Sequence, residues 1–277
     1  MFGALLGHGH MGRIHAQKLR QHQEAGTIDG FAVVDPPQGL APDLPRALDF
    51  AIIAAPTTAH AALALPLLAA GVPCLIEKPL AATLEDATAL AAFPHLSVGH
   101  VERFNPALPR GVRPQFFEAQ RLSPFSARGT DVDVIADLMI HDIDLALSML
   151  GGDIRDVRAI GVGVLTGSAD IVNARIEIGD AVASLSASRV SAAPVRTLRL
   201  VEPGLYWSAD LRTRRLTRVR WGEGALTPEP VEVPPKDPIF AEQAAFFAAV
   251  RGESPYVCTG AEALAALTLA EQIRAAL

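Results

Sequence analysis

The amino-acid sequence predicts an α/β fold of two domains, a doubly wound parallel sheet followed by an α+β domain with a largely antiparallel open sheet. Up to about Arg113, short apolar runs alternate with helix-like segments, which is the pattern of parallel strands joined by crossover helices. Beyond that point the apolar runs are longer, alternate with polar residues and follow one another through short turns such as Gly179-Asp180. We therefore predict domains at residues 1–113 and 114–277.

The first strand, at 2–6, runs into residues 7–12, whose glycines have the spacing G-x-G-x-x-G. In a strand-to-helix turn, such glycines permit the tight turn, the approach of a pyrophosphate and close packing of helix on strand. A second strand at 31–34 ends in Asp35, about 20 residues on, where a carboxylate binds ribose hydroxyls. These features predict a dinucleotide-binding (Rossmann) unit, with the capping of a turn as the alternative role for Asp35. The carboxylate would repel a 2′-phosphate and Pro36-Pro37 offers no compensating arginine, so NAD is favoured over NADP.

The rest of the first domain keeps the same alternation, with strands at 50–55, 72–76 and 96–99 and helices at 59–70 and from Thr83. In doubly wound sheets, ligands bind outside the carboxyl ends of the strands. We therefore predict that the cofactor is bound by residues of the glycine-rich turn and of these strand ends, namely Gly7, Gly9, His10, Met11, Gly12, Asp35, Ala55, Pro56, Thr57, His60, Glu77, Lys78 and His100.

The second domain is predicted to contain several strands and three helices. The strands are expected at 115–122, 157–165, 170–178, 181–188, 195–201 and 214–221. The helices are expected at 136–150, 239–250 and 261–277, the first of them stopped by Gly151-Gly152.

Asp137 and His141 lie four residues apart on the helix at 136–150 and Asp144 lies seven from Asp137, so all three are expected on one face. A carboxylate beside an imidazole can act as an acid/base pair. Alternatively, Asp137 caps the helix start and His141 is a hydrogen-bonded core histidine. A metal site is not predicted, because no further clustered His or Cys completes a ligand set.

Lys78 is one of only three lysines in a chain that otherwise uses arginine. A compact ammonium group can hydrogen-bond a single reacting oxygen, whereas the alternative is a surface lysine paired with Glu77. After the fifth strand, Glu102 and Arg103 are candidate substrate-binding residues. The alternative for residues 99–106 is a solvated hinge.

Composition excludes several classes of protein. The net charge is -6 and the basic residues are scattered, so nucleic acid is not expected as a partner. No apolar run reaches the ~20 residues that a membrane span needs, and no basic leader precedes Phe2, so we expect a cytoplasmic protein without a membrane partner. Two distant cysteines, Cys74 and Cys258, argue against a disulfide framework.

These motifs, in this order, resemble the Gfo/Idh/MocA sugar and polyol dehydrogenases over essentially the whole chain. The resemblance is carried by the turn with Met11 and His15, by the tripeptide Glu77-Lys78-Pro79 and by the helix with Asp137 and His141. It implies that Lys78 contacts the reacting hydroxyl, while Asp137 and His141 bind the substrate and transfer its proton. Met139 replaces the glycine of the usual D-x-G-x-H pattern. That departure, together with residues 99–106, is most similar to the subgroup that oxidises the 3-hydroxyl of UDP-N-acetylglucosamine.

The expected function is therefore NAD-dependent oxidation of a secondary alcohol of a sugar or nucleotide sugar. Inositol or free-sugar oxidation, bilin or imine reduction and a non-catalytic NAD-sensing role are the alternatives. For a nucleotide sugar, the candidate cations for the diphosphate are arginines that could equally be solvated surface charges, namely Arg103, Arg110, Arg113, Arg121 and Arg128.

A homodimer or homotetramer is also expected, because the resemblance implies pairing through an uncovered sheet face. The alternation of Ile171, Ala174, Ile176 and Ile178 is taken to mark that face.

Overall fold

The structure is a computed structural model that describes residues 1–35, 47–126, 133–222 and 224–277. Its contacts divide the chain into two units. The first unit comprises Met1–Phe104 and Lys236–Leu264, and the second comprises Asn105–Pro235 and Ala265–Leu277. The sequence boundary at Arg113 assigned 236–264 to the second part, whereas contacts place this segment in the first.

The first unit contains a five-stranded parallel sheet of order β2-β1-β3-β4-β5. Its strands are β1 (Phe2–Leu6), β2 (Gly30–Val34), β3 (Phe50–Ile53), β4 (Cys74–Glu77) and β5 (Leu96–Gly99). Its helices are α1 (His10–Glu24), α2 (His60–Ala69), α3 (Leu84–Ala91) and α5 (Pro238–Val250), with 3-10 turns at Thr57–Ala59 and Val101–Phe104. Because the chain passes from β1 to β2 on one side and then to β3 on the other, the sheet has its topological switch point between β1 and β3.

Two helices of this unit begin at side-chain caps. Thr83 accepts the Asp86 N–H at 3.1 Å before α3, as the capping-type sequence predicts. Asp237 accepts the Phe240 N–H at 2.9 Å before α5, which has Pro238 in its first turn.

Helix α5 belongs to the first unit because it packs on α1. The ring of His22 stacks on that of Phe240 at 3.9 Å, and Lys18 Nζ lies 3.0 Å from Asp237 Oδ2. Phe247 is fully buried in the core that Leu5 and other residues of the parallel sheet form. None of the helices that the structure describes is both long and apolar enough to cross a membrane.

The second unit contains an eight-stranded sheet of order β13-β12-β11-β10-β6-β9-β8-β7, in which only β6 and β9 pair in parallel among the described strands. The strands are β6 (Phe116–Leu122), β7 (Ile154–Val162), β8 (Ile171–Ile178), β9 (Ala181–Ser188), β10 (Val195–Glu202), β11 (Leu205–Asp210), β12 (Arg215–Gly222) and β13 (Ala225–Val231). A π-helix (Ile135–Met139) leads into α4 (Ile140–Leu150), and α6 (Gly260–Ala275) is divided between the two units.

Three local predictions for this unit differ from the structure. Strands β11 and β13 were not predicted, and β7 begins and ends three residues earlier than its predicted range of 157–165. Strand β13 was not predicted because it contains Pro228 and Pro230, and proline is disfavoured inside a sheet. The strand accommodates both prolines because it lies at the edge of the sheet, where outward positions need no N–H partner. The helix expected at 136–150 opens with the π-helix instead of a regular α-helical turn.

The prediction of the uncovered sheet face is wrong for three of its four residues, whereas the half-buried Ile171, which pairs with Val162, lies on the opposite face. Ala174, Ile176 and Ile178 are buried in the core that the sheet forms with α4, because they share the face of β8 that the helix covers. The other face of the sheet, which we call the open face, carries the exposed Asn173 and Arg175. By register it also carries exposed apolar residues near both ends of the sheet, namely Ile160, Val162, Trp221 and Leu226.

Candidate active site

The glycine-rich turn between β1 and α1 has the geometry of a phosphate cradle. Gly7 has φ of +97°, and a Cβ there would lie 2.6 Å from the Ala54 carbonyl oxygen. A Cβ at Gly12 would collide with the Gly7 carbonyl oxygen, whereas a Cβ at Gly9 would meet no described atom within 4 Å. No described side chain caps α1. The turn therefore leaves open space at Gly9 in front of a helix N-terminus, which suits a pyrophosphate.

Asp35 lies at the carboxyl end of β2 beside this turn. Its Oδ1 accepts the backbone N–H of His8 at 3.1 Å, and the residue is exposed. A carboxylate in this place can accept hydrogen bonds from ribose hydroxyls. Pro36-Pro37, which enter the argument for NAD, lie outside the described residues.

The predicted cofactor-binding residues that follow β1 and β3 differ in their exposure to solvent. His10 is exposed and Met11 half-buried in the first turn of α1, and Ala55, Pro56 and Thr57 follow β3 with at least partial exposure. His60 is buried instead, with Nε2 3.0 Å from the Ala55 carbonyl oxygen and Nδ1 3.1 Å from that of Pro79. Burial lowers the pKa of His60 despite these hydrogen bonds. The imidazole thus ties the end of β3 to the segment after β4.

Glu77 and Lys78 stand at the carboxyl end of β4. Glu77 is buried, its Oε1 lies 2.7 Å from His15 Nε2, and its Oε2 accepts the backbone N–H of Lys78 at 3.2 Å. Burial alone would raise the pKa of Glu77, but the hydrogen bond from His15, together with the charge and the peptide N–H of Lys78, holds it below its usual value. Lys78 itself is half-buried. The carboxylate of Glu77 is therefore engaged by His15 and by the peptide of Lys78.

The segment after β5 is packed. His100 and Glu102 are buried, and Arg103 Nη1 donates to Glu262 Oε1 at 2.5 Å. The interpretation as a solvated hinge is therefore wrong for these three residues. Because an acid already holds the guanidinium of Arg103, this arginine is a poor candidate for an open diphosphate-binding cation.

Asp137 and His141 belong to the second unit, and Lys78 to the first. Asp133 caps the helix start, because its Oδ1 accepts the Ala136 N–H at 2.8 Å, so the capping role considered for Asp137 is wrong. Asp137 and His141 are both half-buried, whereas Asp144 is 1% exposed and does not share their exposure. Asp137 lies within the π-helix, a distortion that is frequent at functional sites.

Arg121 has a structural role that the sequence did not reveal. It is 3% exposed and binds the carboxylate of Asp142, the residue after His141, through two hydrogen bonds. It is neither a solvated surface charge nor an open cation, which corrects its candidacy for the diphosphate. Arg110 and Arg113 are exposed, and Arg128 lies outside the described residues.

Gln243 was also missed. It is fully buried in α5, and its amide nitrogen lies 2.9 Å from His15 Nδ1. The sequence feature that could have indicated its role is the presence of a single amide side chain in a helix that also contains Phe240, Phe246 and Phe247.

Comparison with known proteins agrees with this arrangement. A family model described as the oxidoreductase family with an NAD-binding Rossmann fold matches residues 3–94, and the GFO/IDH/MocA C-terminal domain matches residues 98–201. UDP-N-acetylglucosamine 3-dehydrogenase of Acidithiobacillus ferrooxidans is 35% identical over 98% of this chain and 96% of that protein. The rhizopine catabolism protein MocA of Rhizobium meliloti is 26% identical over 96% of this chain and 92% of that protein.

Solved structures show the same relationship. A structure of the Acidithiobacillus ferrooxidans enzyme has a TM-score of 0.89 at 33% identity and covers 100% of this chain and 97% of its own. Levoglucosan dehydrogenase in complex with NADH and L-sorbose has a TM-score of 0.86 at 17% identity, covering 100% of this chain and 96% of its own, which is a likeness of fold. The predicted family, fold class, cofactor and enzyme class are thereby confirmed. The chain belongs to the Gfo/Idh/MocA family of oxidoreductases and is an NAD-binding dehydrogenase that acts on a CH–OH group.

Proposed function

We propose that the protein oxidises the 3-hydroxyl of UDP-N-acetylglucosamine with NAD as hydride acceptor. The observation that carries this substrate is the similarity to the UDP-N-acetylglucosamine 3-dehydrogenase of Acidithiobacillus ferrooxidans along nearly the full length of both chains. Two sequence features support the same substrate: the Glu77-Lys78-Pro79 tripeptide, and the pair of Asp137 and His141 with Met139 at the middle position.

In this proposal Lys78 and His141 hold the substrate hydroxyl, His141 removes its proton and Asp137 positions the sugar and the imidazole. NAD, when bound, supplies the nicotinamide C4 that accepts the hydride. A general base of this kind contributes about 10²–10⁴-fold to the rate, and holding the reacting groups in place contributes further. Two contacts of buried side chains support these roles: Glu77 accepts the backbone N–H of Lys78, and Arg121 binds Asp142, the residue next to His141.

We assign dinucleotide binding to the first unit, in which α5 supports the parallel sheet, and substrate binding and oligomerisation to the second unit. Asp35 is proposed to bind the ribose hydroxyls and to favour NAD over NADP. Glu102 and Arg103 are proposed to contact the substrate with the backbone of the turn Val101–Phe104, because both side chains are largely buried.

Because both cysteines are buried free thiols, we place the enzyme in the reducing cytoplasm.

We also propose a homodimer or homotetramer that forms through the open face of the second-unit sheet. Ile160, Val162, Trp221 and Leu226 are each at least half exposed on this face. A two-fold interface would bury such residues on both copies, because each patch meets the same surface of its partner.

Oxidation of an inositol or a free sugar is the second candidate. The observation that favours it is the engagement of Arg103 by Glu262 and of Arg121 by Asp142, which removes two of the cations that could bind a diphosphate. A free polyol needs no such cations, whereas each well-placed arginine would stabilise a bound diphosphate by about 1.5–3 kcal/mol.

The test follows NADH absorbance at 340 nm. Oxidation of UDP-N-acetylglucosamine, free N-acetylglucosamine or inositols with NAD would form NADH, and reduction of imines or bilins with supplied NADH would consume it. We expect the highest kcat/KM for UDP-N-acetylglucosamine, and a loss of at least about 10³-fold in Lys78→Ala and His141→Ala. Two variants serve as matched controls that should keep wild-type rates: Lys236→Ala, which replaces an exposed lysine, and His95→Ala.

A higher kcat/KM for a free polyol selects the second candidate. Binding of NAD without turnover across the panel selects a non-catalytic sensor, and near-wild-type rates in Lys78→Ala and His141→Ala contradict the residue assignment.

A further inference from the structure

Three buried side chains of the first unit form a continuous hydrogen-bonded chain that ends at Lys78. The amide nitrogen of Gln243 lies 2.9 Å from His15 Nδ1, and His15 Nε2 lies 2.7 Å from Glu77 Oε1. Glu77 Oε2 in turn accepts the backbone N–H of Lys78 at 3.2 Å. Gln243 and His15 have no exposed surface and Glu77 is 9% exposed. Helix α5, which carries Gln243, is thereby connected to the segment that follows β4.

The direction of each hydrogen bond follows from the groups involved. The Gln243 amide nitrogen also lies 3.4 Å from the carbonyl oxygen of His15, which can only accept. His15 Nε2 lies 2.7 Å from a carboxylate oxygen, which also can only accept, so Nε2 is the donor and Nδ1 faces the Gln243 amide nitrogen as the acceptor. A neutral imidazole has one acceptor and one donor nitrogen, so Nε2 carries the proton and donates to Glu77. Gln243 therefore selects the tautomer of His15 that supplies a donor to the carboxylate.

Glu77 is surrounded by groups that favour its ionised form. One oxygen accepts from His15 of α1, the other from the peptide of Lys78, and His60 of α2 is also electrostatically coupled to it. On the β5 side stands Gly99, where a Cβ would lie 3.2 Å from the Glu77 carboxyl carbon and the Oε2 atom. A carboxylate with both oxygens occupied in this way has a single position and holds the peptide of Lys78 in one place.

We propose that Gln243 and His15 are positioning residues for Lys78, acting through Glu77. With the Nε2–H of His15 aimed at it, Glu77 remains an anion and anchors the Lys78 peptide, so that the ammonium group reaches the substrate hydroxyl. This proposal rests on the proposed role of Lys78. The hydrogen-bonded chain itself can be examined without substrate.

The test compares Gln243→Met, Gln243→Glu and Phe246→Leu. Methionine keeps the length of the side chain and removes the donor. Phe246→Leu is the matched control, because Phe246 is a buried α5 residue that packs on Phe50 and Tyr256, so its truncation weakens the helix without removing the amide. Three properties are measured: the ¹⁵N resonances of His15 in histidine-labelled protein, the amide hydrogen exchange of Lys78, and the pH dependence of kcat and kcat/KM.

In the wild type and in Phe246→Leu, we expect an unprotonated Nδ1 and a protonated Nε2 at neutral pH. In Gln243→Met this tautomer preference should be lost, and the Lys78 amide should exchange about tenfold faster than in Phe246→Leu. We expect kcat to fall about tenfold with KM and the NADH dissociation constant within about twofold, because the displaced ammonium group loses its alignment with the reacting hydroxyl while the other contacts to the sugar and the cofactor are kept. The acid limb of kcat/KM should move up by about one pH unit, because a carboxylate that loses its donor is more readily protonated.

Gln243→Glu provides the rescue. A carboxylate beside Nδ1 makes His15 doubly protonated, which keeps the Nε2–H bond to Glu77, so kcat should return to within about threefold of the wild type. The proposal is overturned if wild-type Nδ1 is the protonated nitrogen, or if Gln243→Met matches Phe246→Leu in exchange and pH profile. Absence of wild-type turnover would instead reject the proposed function, while the tautomer and exchange data would still decide whether Gln243 and His15 hold the Lys78 peptide.

Discussion

Arg121 and Asp142 form a bidentate ion pair inside the second unit. Arg121 Nε donates to Oδ2 at 3.0 Å and Nη2 donates to Oδ1 at 2.8 Å, with side-chain exposures of 4% and 5%. The pair joins β6 to the first turn of α4, directly after His141. Removal of one partner leaves an uncompensated charge in the interior, whereas replacement of both partners by apolar groups avoids that penalty.

We therefore predict that Arg121→Met lowers the free energy of unfolding by about 3–5 kcal/mol, and that Arg121→Met with Asp142→Leu regains most of this loss. Denaturant unfolding followed by circular dichroism measures both values. A single variant that loses less than about 1 kcal/mol would show that the pair is not a buried charge pair in solution.

The pattern of the sequence predicts the first unit well because its signals are local. The glycine-rich turn, Asp35 at the end of β2 and the tripeptide at the end of β4 are each read from adjacent residues. By contrast, Gln243 and His15 are 228 positions apart, so no local pattern reveals that they meet. Strand alternation likewise shows that Ala174 and Ile176 share a face, but the packing of α4 decides whether that face is covered. The pairing of Arg121 with Asp142 depends on tertiary structure in the same way.

Asp133 predicts a pH dependence of stability. It accepts the N–H of Ala136 at 2.8 Å and of Arg274 Nε at 2.6 Å. Burial alone would raise the pKa of Asp133, but these donors hold it below its ordinary value. Because the folded pKa lies below the unfolded value of about 3.9, the stabilisation is fully present above that value and is lost as pH falls through the folded pKa.

We expect Asp133→Asn to lower the free energy of unfolding by about 1 kcal/mol at pH 7. The effect is no larger because Asp133 and Arg274 are partly exposed to solvent. The difference between the variant and the wild type should become smaller as the pH falls below about 4. Urea midpoints of the wild type and the variant between pH 3 and pH 7 provide the measurement. Asp156→Asn, in the exposed pair with Arg158, is the control. A difference that is constant over this pH range would contradict the assignment of the ionised form to Asp133.

Asp35 predicts the choice between the two nicotinamide cofactors. Its carboxylate beside the glycine-rich turn should repel the 2′-phosphate of NADPH. We expect the wild type to bind NADH more tightly than NADPH, and Asp35→Ser to shift the ratio of the two dissociation constants toward NADPH by at least about tenfold. Fluorescence titration measures both constants, and tighter NADPH binding by the wild type would refute the prediction.

If the protein assembles through the open face, a negative charge placed there should weaken the assembly. Ile160 is 66% exposed on β7, and aspartate there would place two carboxylates within a two-fold interface. Ile160→Asp should therefore lower the mass measured by light scattering at micromolar concentration to half of the wild-type value. Leu84→Asp, at an exposed apolar position of the first unit, is the control and should keep the wild-type mass. A wild-type monomer would remove the proposed assembly altogether.

In the proposed reaction, hydride leaves C3 of UDP-N-acetylglucosamine and passes to NAD. The most direct measurement uses UDP-N-acetylglucosamine carrying deuterium at C3, with mass spectrometry of both products after turnover. We expect reduced cofactor that carries the deuterium and a 3-keto nucleotide sugar that does not, with neither product formed by Lys78→Ala or His141→Ala. Reduced cofactor without deuterium, together with a sugar product that retains it, would contradict oxidation at C3.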